Sequence, residues 1–171
     1  MSERDPSFDL VTIGPGFVIG RDETVTAPDQ IGKGTNGFMI GQLFGQAFPL
    51  PVASVSVHLE DVAKLHVEAL NPSIPGNQMY LAAADGTEGP TWADVVEIVK
   101  RHYPKEVADG IFKVDAGSTG TLRVRVDSSF TEKIFDLKFQ PFEKQVLSVT
   151  DHFLELLGRK PKASIEDEIH Q

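Results

Sequence analysis

The stretch Phe8-Asp9-Leu10-Val11-Thr12-Ile13-Gly14-Pro15-Gly16-Phe17-Val18-Ile19-Gly20 decides the fold class of this chain. An apolar, β-branched run from Phe8 to Ile13 ends in Gly-Pro-Gly, the signature of a buried strand of a parallel sheet stopped by a turn. A second extended piece, Phe17 to Gly20, follows at once. A glycine-rich loop after a strand invites a phosphate-binding reading, but such a loop must open a helix whose N-terminal N–H groups hold the pyrophosphate. Here it opens Phe-Val-Ile, a β-prone run, so a structural turn is expected.

Working outward, the polar, Gly/Pro-containing stretch from Arg21 to Thr35 is expected to be a long loop. Within it, Ile31-Gly32-Lys33-Gly34-Thr35 imitates a P-loop. The true pattern needs glycine five residues before the Gly-Lys pair and Ser/Thr directly after it; Ala27 and Gly34 stand there instead. Gly37 to Phe48 carries apolar residues at helical spacing and predicts a closely packed helix, although each interior glycine costs about 1 kcal/mol relative to alanine. Val55 to Leu59 alternates as a strand and leads into a helix from Glu60 to about Leu70, stopped by Asn71-Pro72. Met79 to Ala84 reads as another buried strand. Thr91-Trp92-Ala93-Asp94 resembles a capping box opening a helix with Val95, Val96, Ile98 and Val99. Leu122 to Val126 alternates as an edge strand, Ser128 to Phe135 predicts a short helix, and Phe142 to Leu157 an amphipathic helix closed by Gly158. Buried-type strands alternating with helices define an α/β fold. Two such strands are too few to form a sheet covered by helices on both faces, so the architecture reads as part of a larger one.

Length and charge narrow the function. The chain has 171 residues, a formal net charge of −9 and no cysteine. The acidity disfavours nucleic-acid and anionic-membrane partners. Without cysteine there are no disulfides, thiolate nucleophiles or Cys-based zinc sites, and a cytoplasmic location is expected. No segment has the length and apolarity of a membrane span or signal peptide. The five histidines show no metal-ligand spacing, and a lone histidine such as His58 is more often structural than catalytic. Glu60-Asp61, adjacent at a helix start, are expected to serve as its cap rather than as paired acid–base groups. Spacing nominates no catalytic triad and no metal site.

The opening segment resembles the strand and turn that follow the catalytic helix in extended short-chain dehydrogenases/reductases, above all the dihydroflavonol 4-reductase, cinnamoyl-CoA reductase and aldehyde reductase group. Val57-His58-Leu59-Glu60-Asp61-Val62-Ala63 resembles the next signature of that family. Met79-Tyr80-Leu81, Thr91-Trp92 and Val126-Asp127-Ser128-Ser129 through Lys138-Phe139 follow in the family's order. The resemblance implies an incomplete NAD(P)-binding Rossmann-like fold, contributing its last parallel strands, with the small C-terminal substrate-binding subdomain interleaved over residues 1–158 and a charged tail at 159–171. It implies NADP(H) as cofactor, with Pro15 and Gly16 beside the nicotinamide, Thr35 and Asn36 as polar contacts, and Phe17 and Val18 against a small-molecule carbonyl substrate. Gly14 and Arg21 depart from the family's usual asparagine and proline.

No catalytic residue is implied. The family's Gly-x-x-Gly-x-x-Gly loop and Tyr-x-x-x-Lys pair have no counterpart, since neither Tyr80 nor Tyr103 has lysine four positions on. In the family the tyrosine protonates the forming alkoxide, the lysine lowers its pKa and the loop seats the pyrophosphate. Met1 falling where the catalytic helix would end suggests a truncation. The expectation is thus a carbonyl reductase inactive on its own. The alternatives are a non-catalytic remnant serving as a binding or scaffold module and a relative of sugar-nucleotide epimerases. Uncovered strand edges imply self-association.

Overall fold

The structure is a computed structural model and describes residues 8–115 and 117–159. The expected tail at 159–171 therefore lies, but for Arg159, outside the described residues.

Six short strands form three parallel pairs. Strand β1 (Val11–Pro15) pairs with β5 (Gln78–Ala82), β2 (Phe17–Ile19) with β4 (Ser56–His58), and β3 (Val52–Ala53) with β6 (Thr121–Leu122). The pairs are joined by strands that change neighbour. Gly16 N donates to Ala82 O at 2.9 Å, the last bond of the β1/β5 ladder, and Phe17 N donates to Val55 O at 2.7 Å, the first of the β2/β4 ladder. The chain through β3 and β4 makes the reciprocal change: Ser54 N bonds Leu122 O at 3.1 Å, and from Ser56 onward the partner is β2. Gly16 and Val55 meet where both strands switch. An alanine Cβ at position 16 would lie 2.6 Å from Val55 O and 2.7 Å from Val55 Cγ1, so this approach requires glycine.

This switch explains why the strand expected over Leu122 to Val126 stops after Leu122. Once β4 has turned to β2, no partner remains, and Arg123, Val124 and Arg125 are exposed. The predicted Gly37–Phe48 helix is likewise divided. Helix α1 (Asn36–Ile40) passes into a 3-10 turn at Gly41–Phe44, and Gly45 at φ 75° ends it. The Leu43 carbonyl is taken by Lys113 N at 2.7 Å, a tertiary bond that replaces the next helical one. The loop before it contains a further 3-10 turn at Pro28–Gln30.

The longer helices follow their sequence signals. Helix α2 (Leu59–Glu68) is capped by His58, whose Nδ1 accepts from Glu60 N at 3.2 Å. Glu60 and Asp61 occupy its first turn without supplying that cap. In α3 (Asp94–His102) the Thr91–Asp94 box forms by half: Asp94 Oδ2 accepts from Thr91 N at 2.7 Å, and the threonine makes no reciprocal cap. Pro104 starts a short α4 (Pro104–Ala108), for which periodicity offered no sign. Helix α5 spans Ser129–Phe135. Helix α6 (Phe142–Leu156) ends in a Schellman arrangement, with Gly158 N on Glu155 O and Arg159 N on Leu154 O, at 2.8 and 2.9 Å, and Gly158 at φ 72°.

Two apolar clusters result. The larger packs Ile19, Met39, Ile40, Leu43, Trp92 and the inner faces of α3 and α6. The smaller holds Val57, Leu65, Tyr80, Ala82 and Phe135 between the β1/β5 pair, α2 and α5. The opposite face of β1/β5 is bare: Leu10 and Met79 are each 62% exposed, and Leu81 is partly so. Parallel sheets are normally covered on both faces, so this face is incomplete in the described residues.

Candidate functional site

The site is built on the partner switch at Gly16. In open α/β sheets ligands collect outside the carboxyl ends of the strands, the end of β1 at which this switch lies. Pro15, at the carboxyl end of β1, is exposed. Phe17 stacks on Phe38 of α1, with ring centroids 4.9 Å apart, and tilts against Trp92 at 6.1 Å. Val18 is half-buried beside it, and its carbonyl accepts the Thr35 hydroxyl. The buried Asn36 side chain embraces Gly20, donating from Nδ2 to Gly20 O at 2.8 Å and accepting Gly20 N at Oδ1 at 3.1 Å.

All six residues marked in the sequence thus lie in, or bond to, the segment that runs from the end of β1 through β2 to Gly20. Their polar groups, however, bond within the protein: the Gly16 and Phe17 N–H groups hold the sheet, while Thr35 and Asn36 hold α1 to β2. Arg21, the departure noted above, turns toward α6; its backbone N–H meets Ser148 Oγ at 2.9 Å and its guanidinium meets Glu155 at 2.6 Å.

Neither tyrosine is placed to donate a proton. Tyr80 donates to Pro75 O at 2.7 Å and Tyr103 to Asp151 Oδ1 at 2.8 Å, and both rings are buried. Burial, reinforced by Asp151, pushes the Tyr103 hydroxyl far above the ordinary phenol range. His58 is structural as expected. It is buried, its pKa is lowered by that burial, and besides capping α2 its Nδ1 lies 3.3 Å from Gln140 Nε2. Asp61 holds the same segment, accepting from Gln140 N at 2.8 Å. Among the described residues no cluster of His, Asp or Glu could hold a metal ion.

Sequence reasoning missed a cleft of about 650 Å³ beside this strand, lined by Gly32, Gly34, Phe38, Phe44, Phe48 and their neighbours. Phe48 continues the aromatic stack, 4.7 Å from Phe38. These rings came from the run assigned to one continuous helix, in which Phe38 and Phe48 would stand about 15 Å apart along the axis. The break at Gly41–Phe44 and the left-handed Gly45 are what bring Phe48 back over Phe38.

A ketoreductase of Cercospora nicotianae, CTB6, is 37% identical over 154 residues, covering 88% of this chain and 43% of that protein. An NAD-dependent epimerase/dehydratase of Alternaria alternata, ALT6, is 33% identical over 159 residues, covering 86% of this chain and 44% of that protein. Over the matched stretch, this chain is similar to ketoreductases and NAD-dependent epimerase/dehydratases, consistent with the expected resemblance to extended short-chain dehydrogenases/reductases. Among solved structures, the Gre2–NADPH complex of Candida albicans superposes with a TM-score of 0.63 over 91% of this chain and 46% of that one, at 22% identity, which establishes the shared fold. The three parallel pairs and their helices accordingly match part of a Rossmann-like fold. The chain spans less than half the length of the curated relatives it matches. No protein-family model matches it. Among the described residues, no helix is long and apolar enough to cross a membrane.

Proposed function

We propose that these residues form the nicotinamide-side turn and the substrate-side wall of an NADP(H)-dependent carbonyl reductase, and that this sequence acting alone transfers no hydride. The observation that carries the reading is the convergence at one partner switch: an exposed Pro15, the Thr35–Asn36 clamp, and an aromatic wall led by Phe17, which stacks on Phe38 of the open cleft. Names of relatives as ketoreductases support the reaction class.

The division of labour follows from the chemistry. Carbonyl reduction needs a hydride donor held against the carbonyl carbon and an acid at the carbonyl oxygen. NADP(H) would supply the hydride when bound. Pro15 and Gly16 would border its nicotinamide, with Thr35 and Asn36 fixing the backbone that does so. Phe17 and Val18 would exclude water from the substrate. Burying this face in apolar surroundings strengthens every electrostatic contact to the reacting oxygen. The two tyrosine hydroxyls are committed to Pro75 and Asp151, and no other phenol is present, so the acid and the phosphate loop would come from residues outside this sequence.

The test is a fusion of residues 8–159 behind the N-terminal portion of the Cercospora ketoreductase, in place of its own matched stretch. Carbonyl-dependent NADPH oxidation by the fusion, with none by the chain alone, is the expected result. Micromolar NADPH binding and turnover by the chain alone would refute the inactivity, and a folded but inert fusion would refute the reductase assignment.

A further inference from the structure

The cleft beside β2 has two kinds of wall. Gly32, Gly34, Gly37 and Gly41 supply backbone without side chains, and Phe38, Phe44 and Phe48 supply rings, with Ile31, Ile40, Gln46 and Pro49 among the remaining lining. Phe17, Phe38 and Phe48 form a stack with centroid spacings of 4.9 and 4.7 Å and interplanar angles of 29° and 26°. Phe48, its outermost ring, is 41% exposed, and among the described residues no further ring lies against it.

The glycines do not all have a structural cause. Gly37 needs to be glycine because a Cβ would lie 2.5 Å from Gly32 O, and Gly34 because its φ is 63°. Gly32 has neither reason: its φ is ordinary for any residue, and a Cβ there would meet only Ile40 Cγ2, at 3.9 Å. What a side chain at Gly32 would take up is space in the cleft.

We infer that this cleft is a slot for a planar aromatic ring system, which adds to the Phe17–Phe38–Phe48 stack with the backbone around Gly32 and Gly34 beside it. Offset stacking rewards a flat π-face over a puckered ring of the same carbon count, whereas simple burial of apolar area does not. That the occupant is also a ketone rests on the carbonyl-reductase reading; the slot itself does not.

The experiment is equilibrium dialysis of the purified chain against 2-acetylnaphthalene and its decahydro analogue, which has the same carbon skeleton with puckered rings. The aromatic ketone is expected to bind about three- to ten-fold more tightly, the preference that one aromatic stacking contact supplies. Gly32→Leu is expected to weaken the aromatic ligand at least ten-fold while leaving the urea midpoint in place. Phe48→Leu, which keeps apolar volume but removes the ring, is expected to abolish the preference for the flat ligand. Equal or tighter binding of the decahydro compound, no detectable binding of either, or insensitivity to Gly32→Leu would each overturn the slot. Failure of the reductase reading looks different: naphthyl binding would persist with its dependence on Gly32, and the fusion would oxidise no NADPH.

Discussion

Replacing Gly16 by alanine tests whether the partner switch, rather than a bound cofactor, dictates glycine there. The added Cβ would sit 2.6 Å from Val55 O, 2.7 Å from Val55 Cγ1 and 2.8 Å from Val55 C, so two of its three closest neighbours are backbone atoms that cannot rotate away. Relief requires β2 and β4 to separate at their first rung, the 2.7 Å bond from Phe17 N to Val55 O. Overpacking costs about 1–3 kcal/mol and a lost buried hydrogen bond about 1 kcal/mol, so the expected destabilisation is about 2–4 kcal/mol. With a urea m-value of about 2 kcal/mol/M, that lowers the unfolding midpoint by roughly 1–2 M. Gly14→Ala is the control. Its Cβ would meet Leu81 Cδ2 at 3.3 Å, the far end of a movable side chain, and the change should fall within about 0.5 kcal/mol. Equal midpoints for Gly16→Ala and wild type in cofactor-free protein would refute the packing argument and leave glycine at 16 to be explained by a ligand.

Three further outcomes are expected. The bare face of β1/β5 should drive self-association, so Met79→Lys with Leu81→Glu should shift the chain toward monomer in sedimentation velocity; unchanged association would place the contact elsewhere. Burial holds the folded-state pKa of His58 below its unfolded value of 6.5. Stability from this group is therefore complete above pH 6.5 and declines as pH falls through 6.5 toward the lowered value, and His58→Gln, which keeps an acceptor for Glu60 N, should flatten that part of a Tm-against-pH profile. Asp85 has the opposite sign. At φ 61°, it accepts Phe142 N at 2.9 Å, and desolvation of its carboxylate raises its pKa above 3.8. Its ionisation thus costs stability as pH rises through the raised value. Asp85→Asn tolerates the same backbone and keeps the acceptor, so it should raise Tm at pH 7; a lower Tm would show that the charge on the first turn of α6 outweighs its desolvation.

The sequence by itself determined the elements whose cause is local. The apolar run into Gly14-Pro15-Gly16 specified a strand, although the expected turn is instead a change of partner at Gly16 after β1 has run through Pro15, and Gly158 specified the end of α6, because a left-handed cap is a property of a few adjacent residues. The ordered signatures around Val57–Ala63 and Val126–Ser129 were enough to indicate the family, and relatives bear that out. The marked residues Thr35 and Asn36 were legible only as positions. That their side chains clamp Val18 and Gly20 depends on contacts 16 and 17 residues apart.

Tertiary structure alone decided where strands change partner and where the cleft opens. The run Gly37–Phe48 has helical periodicity, yet Lys113 takes the Leu43 carbonyl from 70 residues away and Gly45 turns left-handed, so the helix ends and Phe48 returns to the stack. Leu122–Val126 alternates like a strand, yet β4 has already been claimed by β2. In both places local propensity amounts to about 1 kcal/mol or less per residue, and a long-range hydrogen bond or a missing partner of similar size overrides it.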